Sequence, residues 1–196
     1  MANATKQAIL EEAFHLFAVN GFEATSMNDI AREVGITKPA IYTYFDGKED
    51  LALRILEQVQ SAYRAYMQEV IAQAERISDV EKRLYHLFER YVAYFCEHKQ
   101  VSAFWLRMIF FPPPVLREKL SGHMNDTEDF FLASLTKTLR AGMRQGLLRK
   151  ANVTNMALSF YAMREGMLML LAHKLGTPTI KALWRDFWLG IKASGS

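Results

Sequence analysis

A chain of 196 residues, 51% of them apolar, can bury the core of one large domain or two small ones. Five prolines and ten glycines are few for a turn-rich β-sandwich, and a single cysteine, Cys96, excludes an intramolecular disulfide. No secretory leader opens the sequence, and the longest apolar stretch is interrupted by Arg107 and three prolines, so we expect a cytoplasmic protein without a membrane span.

The net charge of +3 is unevenly distributed. Residues 1–50 contain four cations and eight anions, which gives −4, whereas the rest of the chain carries +7. The first fifty residues therefore lack the basic footprint typical of nucleic-acid-binding domains. Any nucleic-acid contact made there has to come from individually placed side chains.

The first helix is predicted from about Thr5 to Asn20, because apolar residues recur there at spacings of three and four. Gly21 is expected to end it in the left-handed conformation. Phe22 would then fold back onto Phe17, the apolar contact that usually accompanies such a cap.

Two short helices joined by a tight turn are predicted next. Ser26 and Asp29 have the spacing of a capping box, Gly35 ends the second helix, and Thr37 with Pro39 opens the third. The apolar positions match the internal contacts of a helix-turn-helix: Ile30, Ala31, Val34, Ile36, Ile41 and Phe45. The alternative is an ordinary small helical domain whose helices are joined through glycine.

The third helix is expected to bury Ile41 and Phe45 and to turn its other side chains outward. The outward set combines hydrogen-bond donors, aromatic rings and small apolar groups: Lys38, Pro39, Ala40, Tyr42, Thr43 and Tyr44. Such a surface suits phosphates, base edges and thymine methyl groups. The pattern therefore predicts binding to double-stranded DNA.

The fourth helix is predicted to begin at Asp46-Gly47-Lys48-Glu49, with Asp46 as its cap and Glu49 as the reciprocal partner. A cation in a first helical turn opposes the helix macrodipole, but beside free backbone N–H groups it completes an anion site. We therefore interpret Lys48 as a phosphate clamp. The alternative is that Lys48 pairs with a nearby carboxylate.

A series of short motifs runs through residues 5 to about 55. They read Ala13-Phe14-His15-Leu16-Phe17, Gly21-Phe22, Thr25-Ser26-Met27, Ile30-Ala31, Val34-Gly35-Ile36-Thr37-Lys38, Ile41-Tyr42-Thr43-Tyr44-Phe45 and Lys48-Glu49-Asp50-Leu51. In this combination the segment resembles the TetR/AcrR family of transcriptional repressors. Two positions depart from common family forms, Pro39 where glycine is frequent and Tyr44 where histidine is frequent, and they bear on base preference only.

The resemblance implies roles for the residues of the helix-turn-helix. Operator phosphates would be held by Thr25, Thr37, Tyr42 and Lys48, and the major groove would receive Lys38, Pro39, Ala40, Thr43 and Tyr44. Ser26, from the same motif as Thr25, is counted with the DNA-binding residues.

We expect an all-α fold with a helix-turn-helix domain at residues 1–50 and a helical ligand-binding and dimerisation domain at residues 51–196. One long helix should connect the two, because apolar residues continue at helical spacing and no flexible linker intervenes. Further helices are predicted near Asp79–His98, Gln100–Phe111, Leu116–Gln145, Asn152–Leu175 and Thr179–Lys192. Pro112-Pro113-Pro114 interrupts helix formation and would shape a pocket entrance.

The second domain is rich in aromatic and methionine side chains, which line cavities that accept varied apolar ligands. The predicted ligand-binding residues are Phe104, Trp105, Arg107, Met108, Phe111, Phe131, Phe160, Tyr161, Met163, Arg164 and Met167. For each of them a place in a packed core is the alternative. The two arginines would orient a carboxylate or carbonyl of the ligand, or else pair with Glu97, Glu165 or a helix terminus.

The last two predicted helices carry apolar stripes, part of which is expected to face a second copy of the chain. The stripes are Met156, Phe160, Met163, Met167 and Leu170 in one helix, and Ile180, Trp184, Phe187 and Ile191 in the other. The family resemblance implies that these helices form a four-helix dimer interface. Two-fold symmetry also provides the half-site spacing of about 34 Å that a helix-turn-helix dimer needs.

The sequence thus predicts a ligand-responsive transcriptional regulator, a repressor that binds a near-palindromic operator as a dimer and is released by a small apolar or amphipathic inducer. The alternative is a helical carrier, or an enzyme acting on an apolar small molecule. We predict no catalytic residues, metal site or cofactor, because the histidines and Cys96 have neither metal-ligand spacing nor the context of a nucleophile.

Overall fold

The computed structural model of the protein describes residues 2–121, 125–173 and 179–193. Within these ranges the chain is helical, and its only β structure is an isolated antiparallel bridge between Leu148 and Lys192. The α-helices are α1 (Ala2–Asn20), α2 (Met27–Val34), α3 (Lys38–Ile41), α4 (Lys48–Glu75), α5 (Val80–Glu97), α6 (Lys99–Trp105), α7 (Arg117–Ser121), α8 (Asn125–Arg144), α9 (Val153–His173) and α10 (Ile180–Ile191). The predicted all-α fold is confirmed.

The chain divides into two compact units. Unit 1 comprises Met1–Tyr63 and His98–Met124, and unit 2 comprises Arg64–Glu97 and Asn125–Ser196. The predicted long helix is present as α4, which contributes residues to both units. These structural units do not correspond to the domain boundary expected at residue 50, which concerned function and stays a prediction.

Unit 1 is built on the apolar face of α1. Ile9 and Ala13 are completely buried, as is Ile30 of α2, because the three- and four-residue spacing places these side chains on one side of each helix. Phe14 packs edge-to-face against Phe104 of α6, with 5.3 Å between ring centres. Helix α6 is therefore packed directly on α1, the helix that precedes the helix-turn-helix.

The predicted stop and start signals around α2 are confirmed. Gly21 has a φ of +87° and Gly35 a φ of +75°, the left-handed region that glycine adopts without strain. Phe22 lies against Phe17, with 5.5 Å between ring centres. Ser26 and Asp29 form both hydrogen bonds of the capping box, so the start of α2 is set by local chemistry.

The start of α4 differs in one detail from the prediction. The backbone N–H of Asp46 donates to the carboxylate of Asp50 at 3.1 Å, so its carboxylate partner is Asp50 and not Glu49, and Gly47 rather than Asp46 precedes the first helical residue. Glu49 instead pairs with Lys119 at 3.0 Å. The predicted spacing was wrong by one residue because the helix begins at Lys48, after Gly47, whose backbone carbonyl accepts from the N–H of Leu51.

The middle of the chain is more broken than predicted. The expected helix Gln100–Phe111 is α6 followed by a π-helical turn at Leu106–Phe110, and the three prolines lead into a 3-10 turn at Pro114–Leu116. The single helix expected at Leu116–Gln145 is seen as α7 and α8, and residues 122–124 between them lie outside the described ranges. The predicted end of the next helix, Leu175, also lies outside them.

Unit 2 has an aromatic core contributed by several helices. The Phe160 ring of α9 contacts the rings of Phe88, Phe131, Trp184 and Phe187 at centre-to-centre distances of 5.7 to 6.4 Å. Much of the predicted stripe on the last two helices is thus used inside the unit: Met156, Phe160, Met167, Trp184 and Ile191 are buried. A second copy of the chain would have to meet the outer faces of α9 and α10.

Across the described ranges, no helix combines the length and the apolarity needed to cross a bilayer.

Candidate nucleic-acid interface

The outward side chains of α3 and of the turn after it form a continuous exposed segment. Thr37, Lys38, Pro39, Tyr42 and Thr43 are exposed, and 49% of Tyr42 is accessible. The other two predicted groove residues, Ala40 and Tyr44, are half-buried, whereas Ile41 and Phe45 are buried as expected. The buried Ile41 and Phe45 thus fix this segment to the rest of unit 1, while its exposed side chains face the solvent.

Helical hydrogen bonding continues past the short α3. The N–H of Phe45 donates to the carbonyl of Ile41 at 3.1 Å, and the hydroxyl of Thr43 donates to the carbonyl of Ala40 at 2.7 Å. These bonds hold the turn at Tyr42–Tyr44 in a defined geometry. A fixed orientation of side chains is what readout of base edges requires.

Thr25 and Ser26 have different surroundings. Thr25 is only 1% exposed, and its hydroxyl donates to the carbonyls of Gly21 at 2.8 Å and Leu16 at 3.3 Å. Its side chain thus holds the turn after α1 together. Ser26 is exposed, and its hydroxyl is engaged with the carboxylate of Asp29. A phosphate contact by either residue stays a prediction.

Lys48 is already oriented. Its ammonium donates to the backbone carbonyl of Phe22 at 2.8 Å and lies 4.2 Å from the centre of the Phe22 ring. The carboxylate partner considered as an alternative is not what holds it. The Phe22 carbonyl and ring thus fix the position of the ammonium at the start of α4, and Glu23, Asp46, Glu49 and Asp50 line the same surface cavity.

Several acidic side chains of the first fifty residues are held in ion pairs. Arg32 pairs with Asp29 at 3.0 Å and with Glu33 at 3.5 Å. Two cations from beyond residue 50 contribute as well, since Arg54 pairs with Asp50 at 2.8 Å and Lys119 with Glu49 at 3.0 Å. The hydrogen bonds from Ser26 and the charge of Arg32 hold the pKa of Asp29 below its ordinary value. Arg54 and Lys119 add two cations to the four of residues 1–50, so the charge around this part of the chain is less negative than the count of −4 indicates.

Five of the predicted ligand-binding residues belong to unit 1. Phe104, Trp105 and Met108 are buried, and Trp105 packs against Tyr63 at 5.5 Å between ring centres. Arg107 and Phe111 are exposed and, with Met108, line a cavity of about 380 Å³. The rest of its lining consists of Asn20, Gly21, Phe22, Glu23, Ala24, Pro112, Pro113 and Pro114. The triple proline thus borders a cavity, and it does so against the turn between α1 and α2.

The other predicted ligand-binding residues belong to unit 2, where Phe131 and Tyr161 lie against the buried Arg164. Arg164 is 0% exposed and pairs with Glu128 and with Glu165, the latter at 3.1 Å. Its guanidinium carbon lies within 4.0 to 4.4 Å of the ring centres of Tyr91, Phe131 and Tyr161. Phe131, Phe160 and Met167 are buried in the unit, and Tyr161 and Met163 are half-buried. Binding of a ligand by this group stays a prediction.

Burial dominates the electrostatics of this cluster. It raises the pKa of Tyr161 to about 12, helped by the negative charges of Glu128 and Glu165. Burial also raises the pKa of Glu165 above its ordinary value, although Arg164 and the hydrogen bond from Tyr91 oppose the shift. Two carboxyl groups thus share one guanidinium, so its positive charge only partly opposes the effect of burial on Glu165.

Several residues at these positions were not predicted from the sequence. Glu128 and Tyr91 complete the Arg164 cluster, and Asn20 to Ala24 line the cavity in unit 1. Their partners lie tens of residues away along the chain, so periodicity carried no signal for them. An arginine in an apolar helical stretch was the one available sign that compensating carboxylates had to be close.

Comparison with known proteins agrees with the motifs. Residues 9–55 match the family described as bacterial regulatory proteins, tetR family. Over 60 residues the chain is 42% identical to the HTH-type transcriptional regulator AcrR of Shigella flexneri, which is 31% of this chain and 28% of AcrR. Over 147 residues it is 26% identical to the HTH-type transcriptional regulator HbdR of Aromatoleum sp., which is 75% of this chain and 61% of HbdR. The chain thus spans less than two thirds of these curated relatives.

Solved structures share the fold over nearly the whole chain. The TetR-family regulator PfmR of Thermus thermophilus aligns with a TM-score of 0.68 at 24% identity, over 96% of both chains. The regulator FadR of Bacillus subtilis, in complex with stearoyl-CoA, aligns with a TM-score of 0.67 at 16% identity, over 93% of this chain and 95% of FadR. Residues 9–55 thus match the helix-turn-helix of the tetR family in sequence, and the chain shares the fold of TetR-family regulators.

Proposed function

We propose that the protein is a ligand-responsive transcriptional regulator, which binds a near-palindromic operator as a homodimer and represses until a small apolar or amphipathic inducer releases it. The observation that carries the proposal is the exposed segment of α3 and the following turn, with Lys48 oriented at the start of α4. The relatives named above are transcriptional regulators, which favours this function over catalysis.

DNA binding would combine two kinds of contact. Lys38, Pro39, Ala40, Thr43 and Tyr44 would enter the major groove, where side-chain donors and small apolar groups meet base edges and thymine methyl groups. Thr37, Tyr42 and Lys48 would hold phosphates and fix the register. Thr25 supports them from inside, because its hydroxyl holds the turn whose Phe22 carbonyl positions Lys48.

Dimerisation would use the outer faces of α9 and α10. Ala162 and Gly166 are exposed on α9, and small residues allow a second helix to approach closely. Leu158 of α9 is 52% exposed and Leu189 of α10 is 55% exposed, so large apolar groups flank that face. Burying them against a second copy would stabilise a symmetric dimer.

Regulation would follow from a difference in inducer affinity between two conformations of the dimer. The conformation that binds inducer more tightly would be the one whose DNA-binding heads no longer match the operator. FadR of Bacillus subtilis, which has the same fold, was solved with stearoyl-CoA, an amphipathic ligand. That precedent supports an amphipathic inducer class for this chain.

The test is fluorescence anisotropy of the purified protein with the DNA upstream of its own gene, at two salt concentrations. Saturable binding that weakens steeply with salt is expected, because phosphate neutralisation releases counterions. Lys48→Ala and Tyr42→Ala should each weaken binding at least tenfold without loss of folding. Lys82→Ala, which removes the same charge from an exposed position on α5, is the matched control and should bind as the wild type does.

Two results would contradict the proposal. Absence of DNA affinity even at low salt would favour the helical carrier or enzyme acting on an apolar small molecule. An equal loss of DNA affinity in Lys48→Ala and in the Lys82→Ala control would mean that binding depends on net charge alone and that Lys48 makes no specific phosphate contact.

A further inference from the structure

Arg107 completes the C-terminal end of α1 from a distant part of the chain. Its Nη2 donates to the backbone carbonyl of Val19 at 3.0 Å. Helix α1 has no basic residue in its own last turn. Since free carbonyls give a helix C-terminus a partial negative charge, the guanidinium stabilises that end electrostatically as well as by the hydrogen bond.

The contact depends on the absence of a side chain at Gly21. A Cβ built on Gly21 would lie 2.8 Å from Nη1 of Arg107, closer than non-bonded atoms approach. The guanidinium is therefore seated on the backbone of the turn that joins α1 to α2. It is nevertheless exposed, so a solute can reach it.

This guanidinium also lines the 380 Å³ cavity, which is within the size range of small-molecule sites. Apart from Asn20, Gly21 and Glu23, the remaining lining is apolar and comes from Met108, Phe111, Phe22, Ala24 and the three prolines. Glu23 is the acidic residue of the lining, and it is exposed and therefore solvated. The cavity thus offers an apolar wall and one cationic donor group.

The wall that carries Arg107 is irregular. Leu106–Phe110 forms a π-helical turn, and Phe111 after it is 68% exposed. Single π-helical turns are rare and occur frequently at functional sites. Covering the exposed Phe111 ring with an apolar ligand removes apolar surface from water, which stabilises the complex.

We propose that this cavity is a binding site for an amphipathic carboxylate, whose carboxylate takes the Arg107 guanidinium away from the Val19 carbonyl. A carboxylate forms bidentate, charge-assisted hydrogen bonds with arginine, and these are stronger than one bond to a neutral carbonyl. The apolar tail would lie against Met108, Phe111 and the prolines. The inference rests on the proposed function, because it names the inducer class and the way in which the inducer acts.

The turn that Arg107 holds is also the turn that positions the DNA contacts. The Gly21 carbonyl accepts from the hydroxyl of Thr25, and the Phe22 carbonyl accepts from the ammonium of Lys48. Release of Arg107 therefore loosens the backbone that orients the phosphate clamp. Ligand binding and operator binding therefore oppose each other, because they favour different conformations of one short segment, Val19 to Thr25.

Octanoate and octan-1-ol are the probes, because they share a chain length and differ in charge. Calorimetric titration of the full chain should show octanoate binding about tenfold more tightly than octanol. Arg107→Gln should lower octanoate affinity about tenfold and leave octanol affinity unchanged, and Arg107→Lys should have an intermediate effect. Arg117→Gln, an exposed arginine outside the cavity lining, is the control and should match the wild type.

Hydrogen exchange supplies a second readout. Octanoate should accelerate amide exchange between residues 19 and 25 of the wild type, and Arg107→Gln should show that acceleration without ligand. Equal octanoate affinity in the wild type and Arg107→Gln, or no octanoate binding to the folded wild type, would overturn the inference. Neither measurement uses DNA, so failure of operator binding would be seen separately as failure of the proposed function.

Discussion

Gly21 and Gly35 are single residues with the same backbone conformation and different surroundings. Both have a positive φ, but a Cβ at Gly35 would meet no atom within 4 Å, whereas one at Gly21 would meet Arg107. Gly35→Ala should thus cost about 1 kcal/mol of unfolding free energy from backbone strain alone. Gly21→Ala should cost about 0.5 to 1 kcal/mol more, because the arginine loses its hydrogen bond to Val19.

Urea unfolding of both variants measures the two costs. In an Arg107→Ala background the excess cost of Gly21→Ala should disappear, since the arginine is then no longer present to be displaced. An excess that persists in that background would show that the alanine strains some other part of the turn.

Glu165 is a single residue that gives stability a dependence on pH. Its pKa is raised by burial, so the folded protein keeps a proton that the unfolded chain has already lost. Its contribution to stability is therefore present below the ordinary pKa of 4.5 and is lost as pH rises through the raised value. Glu165→Gln, which retains an oxygen for the bonds from Tyr91 and Arg164, should remove this decline.

Unfolding free energies measured at about pH 5 and about pH 7.5 test the expectation. Glu69→Gln, at an exposed position of α4, is the control and should keep the pH dependence of the wild type. If Glu165→Gln also keeps it, the carboxyl is ionised in the folded state throughout that range.

At the scale of elements, α2 depends on its capping box. Ser26 accepts from the N–H of Asp29 and Asp29 accepts from the N–H of Ser26, which satisfies two donors that a helix start leaves unpaired. Ser26→Ala should cost about 1 kcal/mol of unfolding free energy. Ser159→Ala is the matched control. Ser159 lies in the middle of α9, away from both helix ends, its side chain is exposed, and its hydroxyl donates to the carbonyl of Asn155 in the preceding turn.

Chemical denaturation at neutral pH compares the two serine variants. An equal effect of both would mean that the cap adds nothing beyond the general cost of losing a hydroxyl. The two glycines and this cap explain why the end of α1 and both ends of α2 could be placed from the sequence, whereas α1 begins at Ala2, three residues before the predicted Thr5. Helix α4 was misjudged by one position at its cap because Asp46, Glu49 and Asp50 all offer carboxylates near its start.

At the scale of the whole molecule, the dimer is the feature to test. Leu158→Glu and Leu189→Glu place a charge on the outer faces of α9 and α10, where it would be buried without a partner in a dimer. Each should convert the protein to a monomer in sedimentation velocity experiments and weaken operator binding at least tenfold, since half-sites are then bound singly.

Val115→Glu is the control for these variants, because Val115 is 48% exposed and lies in the 3-10 turn of unit 1. It should leave the sedimentation coefficient unchanged. A wild-type protein that sediments as a monomer, or leucine variants that remain dimeric, would contradict the assignment of the interface to the last two helices.

Features that depend on neighbours within about four residues could be predicted from the sequence: most of the helices, the glycine stops, the capping box of α2 and the motifs of the helix-turn-helix. Such interactions are local, so residue types and spacings along the chain indicate them. The breaks between Trp105 and Asn125 and the distant partners of the arginines depend on tertiary packing. Arg107 meets Val19 across 88 residues of sequence and Arg164 meets Glu128 across 36, because the packing of α6 and α9 brings those groups together and no periodicity records it.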